Sequence, residues 1–338
     1  MVLYQCATLR VVSSGGPTGG REKKKLSPGM QFVRDAGVAL IFVVTLLLAM
    51  YAYTGLWPPL VVVESSSMMH TDDNTSKIGV IDTGDLVLVK DIDSADDIVT
   101  YLEGVHTDYS TYGDYGDVIV YKINGDDSRT PIIHRAIAYL ELNAGGASYT
   151  CDALQYLERG PNGKWDTADD TDEWDHLTSA LYIYRVGYKH QTVTIRVDRI
   201  SSSDDRHGFV TKGDHNSDVD LFRLVSGPIP VSWVVGEARG EIPWFGLLKL
   251  WASGGLDEEA PANSVRNLWI AMALIVVAPV TIDVVLTFRI RRRIARKREA
   301  AQREHDEATH AEQGGPMTPE DEKNLPGGPP PQAPPGQV

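Results

Sequence analysis

Three short segments hold the residue types that could together perform acyl transfer. The first is Glu64-Ser65-Ser66-Ser67-Met68-Met69-His70. The second is Ile132-Ile133-His134-Arg135-Ala136-Ile137, where an imidazole interrupts an apolar run. The third, Thr211-Lys212-Gly213-Asp214-His215-Asn216-Ser217-Asp218-Val219-Asp220, is a tight polar turn behind a strand-like segment. A serine hydroxyl is a weak nucleophile at neutral pH and needs a neighbouring base. Neutral histidine can take that proton and return it to a leaving amine, and a carboxylate can orient the ring and stabilise the imidazolium. Taken singly, each segment has a plainer reading: a solubilising serine loop, a hydrogen-bonded structural histidine, and an Asx turn.

Two apolar stretches stand on either side of these segments. Residues 36–57 (AGVALIFVVTLLLAMYAYTGLW) carry no charge, and residues 267–288 (NLWIAMALIVVAPVTIDVVLTF) carry only Asp283. As helices each extends about 33 Å, against a hydrocarbon core of about 30 Å. The first run exceeds the apolar core of a cleaved signal and lacks an A-x-A behind it, so it is expected to be retained. Arg21, Lys23, Lys24, Lys25 and Arg34 precede the first span; Arg289, Arg291, Arg292, Arg293, Arg296, Lys297 and Arg298 follow the second. Basic flanks stay in the cytoplasm, so both termini are expected inside and residues 58–266 outside. Ser67 lies ten residues past Trp57, at most about 35 Å of extended chain from the bilayer surface.

The 338 residues include 32 Lys+Arg and 46 Asp+Glu, a formal charge of −14. Residues 57–266 hold 35 acids and 17 bases, whereas the rest of the chain is net basic. An acidic exterior lacks the basic footprint of a nucleic-acid binder. Asp dominates and Lys is scarcer than Arg. Such a surface stays solvated where high salt screens its self-repulsion, so salt adaptation is expected; a cationic binding partner is the rival reading. Cys6 and Cys151 fall on opposite sides of the membrane in this topology, which leaves no intramolecular disulfide outside.

Between the spans the periodic segments are strand-like: 86–90, 117–122, 131–142, 182–188, 192–200 and 231–242, rich in β-branched and aromatic residues and punctuated by Gly, Asp and Asn. No long amphipathic helix is expected there. Residues 91–116 and 152–176 read as acidic loops; the second has alternating carboxylates that either grip calcium or form a solvated loop. Residues 244–251 (WFGLLKLW) form an apolar patch suited to the membrane interface or to core packing. Residues 1–35 and 289–338 read as flexible cytoplasmic ends, the latter basic and then Pro/Gly-rich.

Taken together, the three polar segments resemble signal peptidase I of the archaeal and endoplasmic-reticulum branch. The family's Ser-x-Ser-Met-x-Pro is matched by Ser65-Ser66-Ser67-Met68-Met69-His70. Its Gly-Asp followed by β residues is matched by Gly84-Asp85 and again by Gly116-Asp117, its base segment by Ile133-His134-Arg135, and its Gly-Asp-Asn-Asn with a later Asp by Gly213-Asp214-His215-Asn216 and Asp220. Bacterial members carry Lys where His134 stands. The segments follow family order over residues 33–288.

The resemblance implies a mainly β, membrane-anchored catalytic domain flanked by two transmembrane helices. It implies a serine endopeptidase that removes signal peptides from exported preproteins after small residues. Ser67 would be the nucleophile, His134 the general base, Asp220 the orienting carboxylate, Asp214 a supporting carboxylate and Ser65 an oxyanion donor, with no cofactor or metal. The implied partners are signal peptides, the lipid bilayer and the translocation channel, with no nucleic acid. A histidine base must be neutral, so activity is expected to fall on acidification from about pH 8 to about pH 5. The alternative is a non-catalytic membrane subunit of the same fold that presents substrates or partners. His70 replaces the family's Pro and His215 an Asn, and residues 141–208 form an extra lobe of unassigned role.

Overall fold

A computed structural model describes residues 27–71, 74–146, 148–200, 206–254 and 260–313. The chain divides into two compact units, 1–259 and 260–338.

The first unit opens with helix α1 (Pro28–Thr54). Ser27 caps its start by accepting from the Met30 amide, Pro28 fits the first turn, and Gly55 ends it in the left-handed conformation. Most of its side chains are exposed although they are apolar, as expected of a surface that faces lipid. Its C-terminus is tied to the β domain, where the Asp91 amide donates to the Thr54 carbonyl at 2.7 Å.

Among the described residues twelve strands follow: β1 (Leu60–Val62), β2 (Leu86–Lys90), β3 (Ser110–Thr111), β4 (Asp114–Tyr115), β5 (Val118–Tyr121), β6 (Ile132–Leu142), β7 (Tyr149–Thr150), β8 (Trp165–Thr167), β9 (Ala180–Val186), β10 (Gln191–Arg196), β11 (Gly208–Lys212) and β12 (Val234–Ile242). The main sheet runs β1-β2-β12-β5-β6-β11, with β7 on β6, and every pairing is antiparallel. All four residues of β5 are fully buried, which accounts for their unbroken apolar run. One face packs Met68, Ile81, Val87, Val118 and Val120; the other packs Ile119, Tyr121, Phe209 and Ile229.

The 141–208 lobe is a three-stranded sheet, β10-β9-β8. It is not a separate body: Leu154, Trp165, Leu181 and Ile195 share one core with Ile137, Leu140 and Val210 of β6 and β11. A bulge between Val210 and Thr211 lets β6 serve both the main sheet and this core.

Four expectations for the first unit need correction. Residues 91–116 are not a loop: they contain helix α2 (Tyr101–Thr107) and the β3–β4 pair. Thr100 and Glu103 form a reciprocal capping box that starts α2, and the buried Tyr101 and Leu102 hold it. Residues 152–176 contain β8, and their carboxylates serve the lobe itself: Asp172 accepts from Thr178 and Ser179, and Asp166 pairs with Arg159. The 244–251 patch is divided, because helix α3 (Leu247–Ser253) buries Leu247 and Leu250 in the domain and exposes Leu248. Helix α1 begins before residue 36 and stops at Thr54, so Trp57 lies beyond it, 67% exposed.

The second unit is helix α4 (Ala262–Gln313). It continues well past residue 288, so residues 289–313 are helical rather than disordered. Their Ala, Arg, Glu and Gln content favours helix, with opposite charges available three and four residues apart. Residues 1–26 and 314–338 lie outside the described residues. α1 and α4 are each long and apolar enough to cross a membrane.

Candidate active site

Antiparallel register brings the three polar segments together. The β1–β2 ladder continues through mutual bonds of Val63 with Asp85 and Gly84, and the chain then turns at residues 64–70. Met68 and Met69 are 1% and 2% exposed. Burying both plants the turn in the domain and leaves Ser67 half-buried between core and solvent. His134 lies near the start of β6, opposite Ile119 of β5, and is 3% exposed. Asp220 returns beside β11 because its amide donates to the Thr211 carbonyl at 2.8 Å.

The resulting contacts form a continuous chain. His134 Nδ1 meets Asp220 Oδ2 at 2.6 Å, and His134 Nε2 meets Ser67 Oγ at 2.9 Å. A carboxylate only accepts, so the imidazole proton sits on Nδ1, and Nε2 is left to accept from the Ser67 hydroxyl. Ser67 Oγ can then accept in turn from Ser65 Oγ, 3.1 Å away. Asp220 is fully buried, and its Oδ2 also receives Tyr121 Oη at 2.9 Å and Thr211 Oγ1 at 2.6 Å. These donors offset the cost of an interior carboxylate and fix the oxygen that His134 uses.

Asp214 occupies a second network. Arg135 Nε and Nη2 hold its two oxygens at 2.9 and 2.6 Å, and His70 Nε2 lies 2.8 Å from Oδ2. Burial would raise this carboxyl, but Arg135 and His70 overcome it and hold it well below the usual carboxylate range. Arg135 is 1% exposed, and its Nη1 also donates to the carbonyls of Thr111 and Gly116. Asp214 therefore links the strand that carries the histidine to the turn that carries the serine. Its side-chain hydrogen bonds go to Arg135 and His70, the neighbours of His134 and of the Ser67 turn.

Gly213 lies against both the nucleophile turn and the histidine. A Cβ there would stand 2.8 Å from His134 Nε2, 2.6 Å from the Ser67 carbonyl and 2.6 Å from Asn216 Nδ2. Beside it, the His215 amide donates to the Ser67 carbonyl at 2.9 Å. Lys212 is 2% exposed and donates to the Gly213 and Asp214 carbonyls; burial lowers its ammonium below the usual lysine range.

Among the described residues no group of three or more His, Cys, Asp or Glu side chains is placed to hold a metal ion. The residues that sequence reasoning left without a role are Arg135, Tyr121, Thr211 and His70. Arg135 carried a signal as part of the base segment and His70 as a departure from the motif.

Chemically, the arrangement is a hydroxyl on a half-exposed turn, a buried imidazole and a buried carboxylate behind it. That set is suited to raising a nucleophile and protonating a leaving group. Comparison of the chain with family models, with curated proteins and with solved structures returns no match.

Proposed function

We propose that this chain is a membrane-anchored serine endopeptidase of the signal peptidase I kind, cleaving N-terminal signal peptides from exported preproteins. One observation carries the reading: the Ser67–His134–Asp220 chain of contacts at 2.9 and 2.6 Å, built from three segments far apart in sequence. Loop chemistry or strand packing alone does not require a serine, a buried histidine and a buried carboxylate in that order.

In this reading Ser67 Oγ attacks the scissile carbonyl while His134 Nε2 takes its proton. The imidazolium, stabilised by Asp220, then protonates the departing amine. The acyl-enzyme is hydrolysed when His134 takes a proton from water. Ser65 Oγ, within reach of Ser67 Oγ, is the side chain best placed to donate to the oxyanion, a contribution worth about 3 kcal/mol in other hydrolases.

Membrane anchoring supports the same reading. A signal peptide stays embedded in lipid, and Ser67 follows the end of α1 at Thr54 by thirteen residues, among them strand β1 of the β domain. With basic flanks inside, the peptidase domain faces outward. The test is sequencing the product of a purified preprotein. We expect one cut after a small residue at the end of its signal, and none by His134→Ala. Cleavage by His134→Ala at the wild-type rate would overturn the base assignment.

A further inference from the structure

The lobe at 141–208 has no part in the relay, yet its hairpin tip reaches the nucleophile turn. The tip joins β9 to β10 through Gly187, Tyr188, Lys189 and His190. The Tyr188 ring stacks on His70, with centroids 4.8 Å apart and planes 20° apart. Its hydroxyl hydrogen-bonds His215 Nδ1 at 2.8 Å, and Lys189 Nζ reaches the His215 carbonyl at 3.5 Å. The two histidines that break the family motif thus meet on one tyrosine. Each also touches the catalytic frame: His70 lies three residues past Ser67 and is held by Asp214, and the His215 amide holds the Ser67 carbonyl.

The tip is held in an unusual backbone conformation. Arg185, just before it, and His190, its last residue, have φ of 52° and 50°, a region that favours glycine. Arg185 is held there: its carbonyl accepts from Tyr101 Oη at 3.1 Å and Lys164 Nζ at 3.0 Å, and its guanidinium donates to the Gly163 carbonyl at 2.6 Å.

We infer that the lobe is a clasp, in which Tyr188 acts as a positioning residue that holds the Ser67 turn in register with His134 through His70 and His215. In the family motif a proline stiffens this turn from within. Here the stiffness is supplied from outside, by an aromatic stack and two hydrogen bonds. This inference rests on the peptidase reading of Ser67.

The test measures kcat and KM for preprotein cleavage, and the rate at which a fluorophosphonate labels Ser67, on the full chain in detergent. Tyr188→Ala is expected to lower kcat and the labelling rate together, by about 10- to 100-fold, with KM moving less than about twofold. Tyr188→Phe keeps the stack and loses one hydrogen bond, so it is expected to lose only about threefold to tenfold and to show that the lobe still folds. In a His70→Pro/His215→Asn background, which removes both of the tyrosine's targets, Tyr188→Ala is expected to change kcat less than about twofold further. If Tyr188→Ala cleaves and labels like wild type while Ser67→Ala is inactive, the clasp is wrong and the peptidase reading stands. An equal loss from Tyr188→Ala in both backgrounds also overturns the clasp. If Ser67→Ala itself cleaves, the underlying reading fails.

Discussion

Three donors converge on one oxygen of Asp220, and in the proposed relay His134 is the one through which it acts. Asp220→Asn keeps the shape but removes the charge that stabilises the imidazolium. The expected result is a fall in kcat of at least about 10²-fold, approaching about 10⁴-fold, with little change in KM. Tyr121→Phe and Thr211→Val each delete one supporting bond and should cost about tenfold or less. Steady-state kinetics of the four proteins checks the order. Gly213→Ala is a sharper probe of geometry, because the added methyl meets the Ser67 carbonyl and His134 Nε2 inside contact distance. It is expected to cost about 10²-fold in kcat while the far-UV spectrum of the folded protein is retained. The sequence made Ser67, His134 and Asp220 legible through the order of short motifs. It left Tyr188 invisible, because a stack between a hairpin tip and a turn more than a hundred residues away has no local signature.

At the scale of elements, the turn before β2 and the segment leading into helix α3 are joined by the buried carboxylate of Asp85. Asp85 is 1% exposed; its oxygens accept from the Trp244 amide at 2.8 Å and the Asp82 amide at 2.9 Å. Burial pushes its carboxyl up to about 7 against these hydrogen bonds. A carboxyl raised on folding binds its proton more tightly in the native state. Its contribution is therefore full below 3.8 and is lost as pH rises toward about 7. Asp214, held low, works in the other direction: its contribution is present above 3.8 and lost on further acidification. In thermal melts, wild type is expected to lose stability between about pH 4 and about pH 7 relative to Asp85→Asn, by on the order of a few kcal/mol. Parallel melting curves across that range would contradict the assignment.

The longer strands were legible, since runs such as 86–90 and 132–142 are rich in apolar residues, including the β-branched Val87, Val89, Ile132, Ile133 and Ile137. Helix α2 escaped despite its Thr100–Glu103 capping box, because a seven-residue helix shows too little periodicity and is held by tertiary burial. The helical extension over 289–313 was hidden by its high charge, which reads as disorder when opposite charges three and four apart are overlooked.

At the scale of the whole molecule, a net-acidic β domain is attached to two helices able to cross a bilayer. Raising salt from about 0.1 M to about 2 M should raise the melting temperature of the solubilised chain as carboxylate repulsion is screened. A melting temperature that falls over that range would contradict a salt-adapted surface. Orientation is tested with Ile78→Cys, a 73% exposed site in the β domain, and Gln302→Cys in the charged part of α4. An impermeant maleimide added to intact cells should modify the first and reach the second only after permeabilisation. The reverse pattern would invert the topology and remove Ser67 from the face where signal peptides emerge.

The most direct test of the central claim is cleavage of a labelled preprotein by membranes that carry either wild type or Ser67→Ala, in high salt, with equal insertion verified for both. The account predicts a shortened product with wild type and at least about a 10³-fold slower reaction with Ser67→Ala. Cleavage by Ser67→Ala at the wild-type rate would contradict it and leave a non-catalytic membrane subunit as the better description.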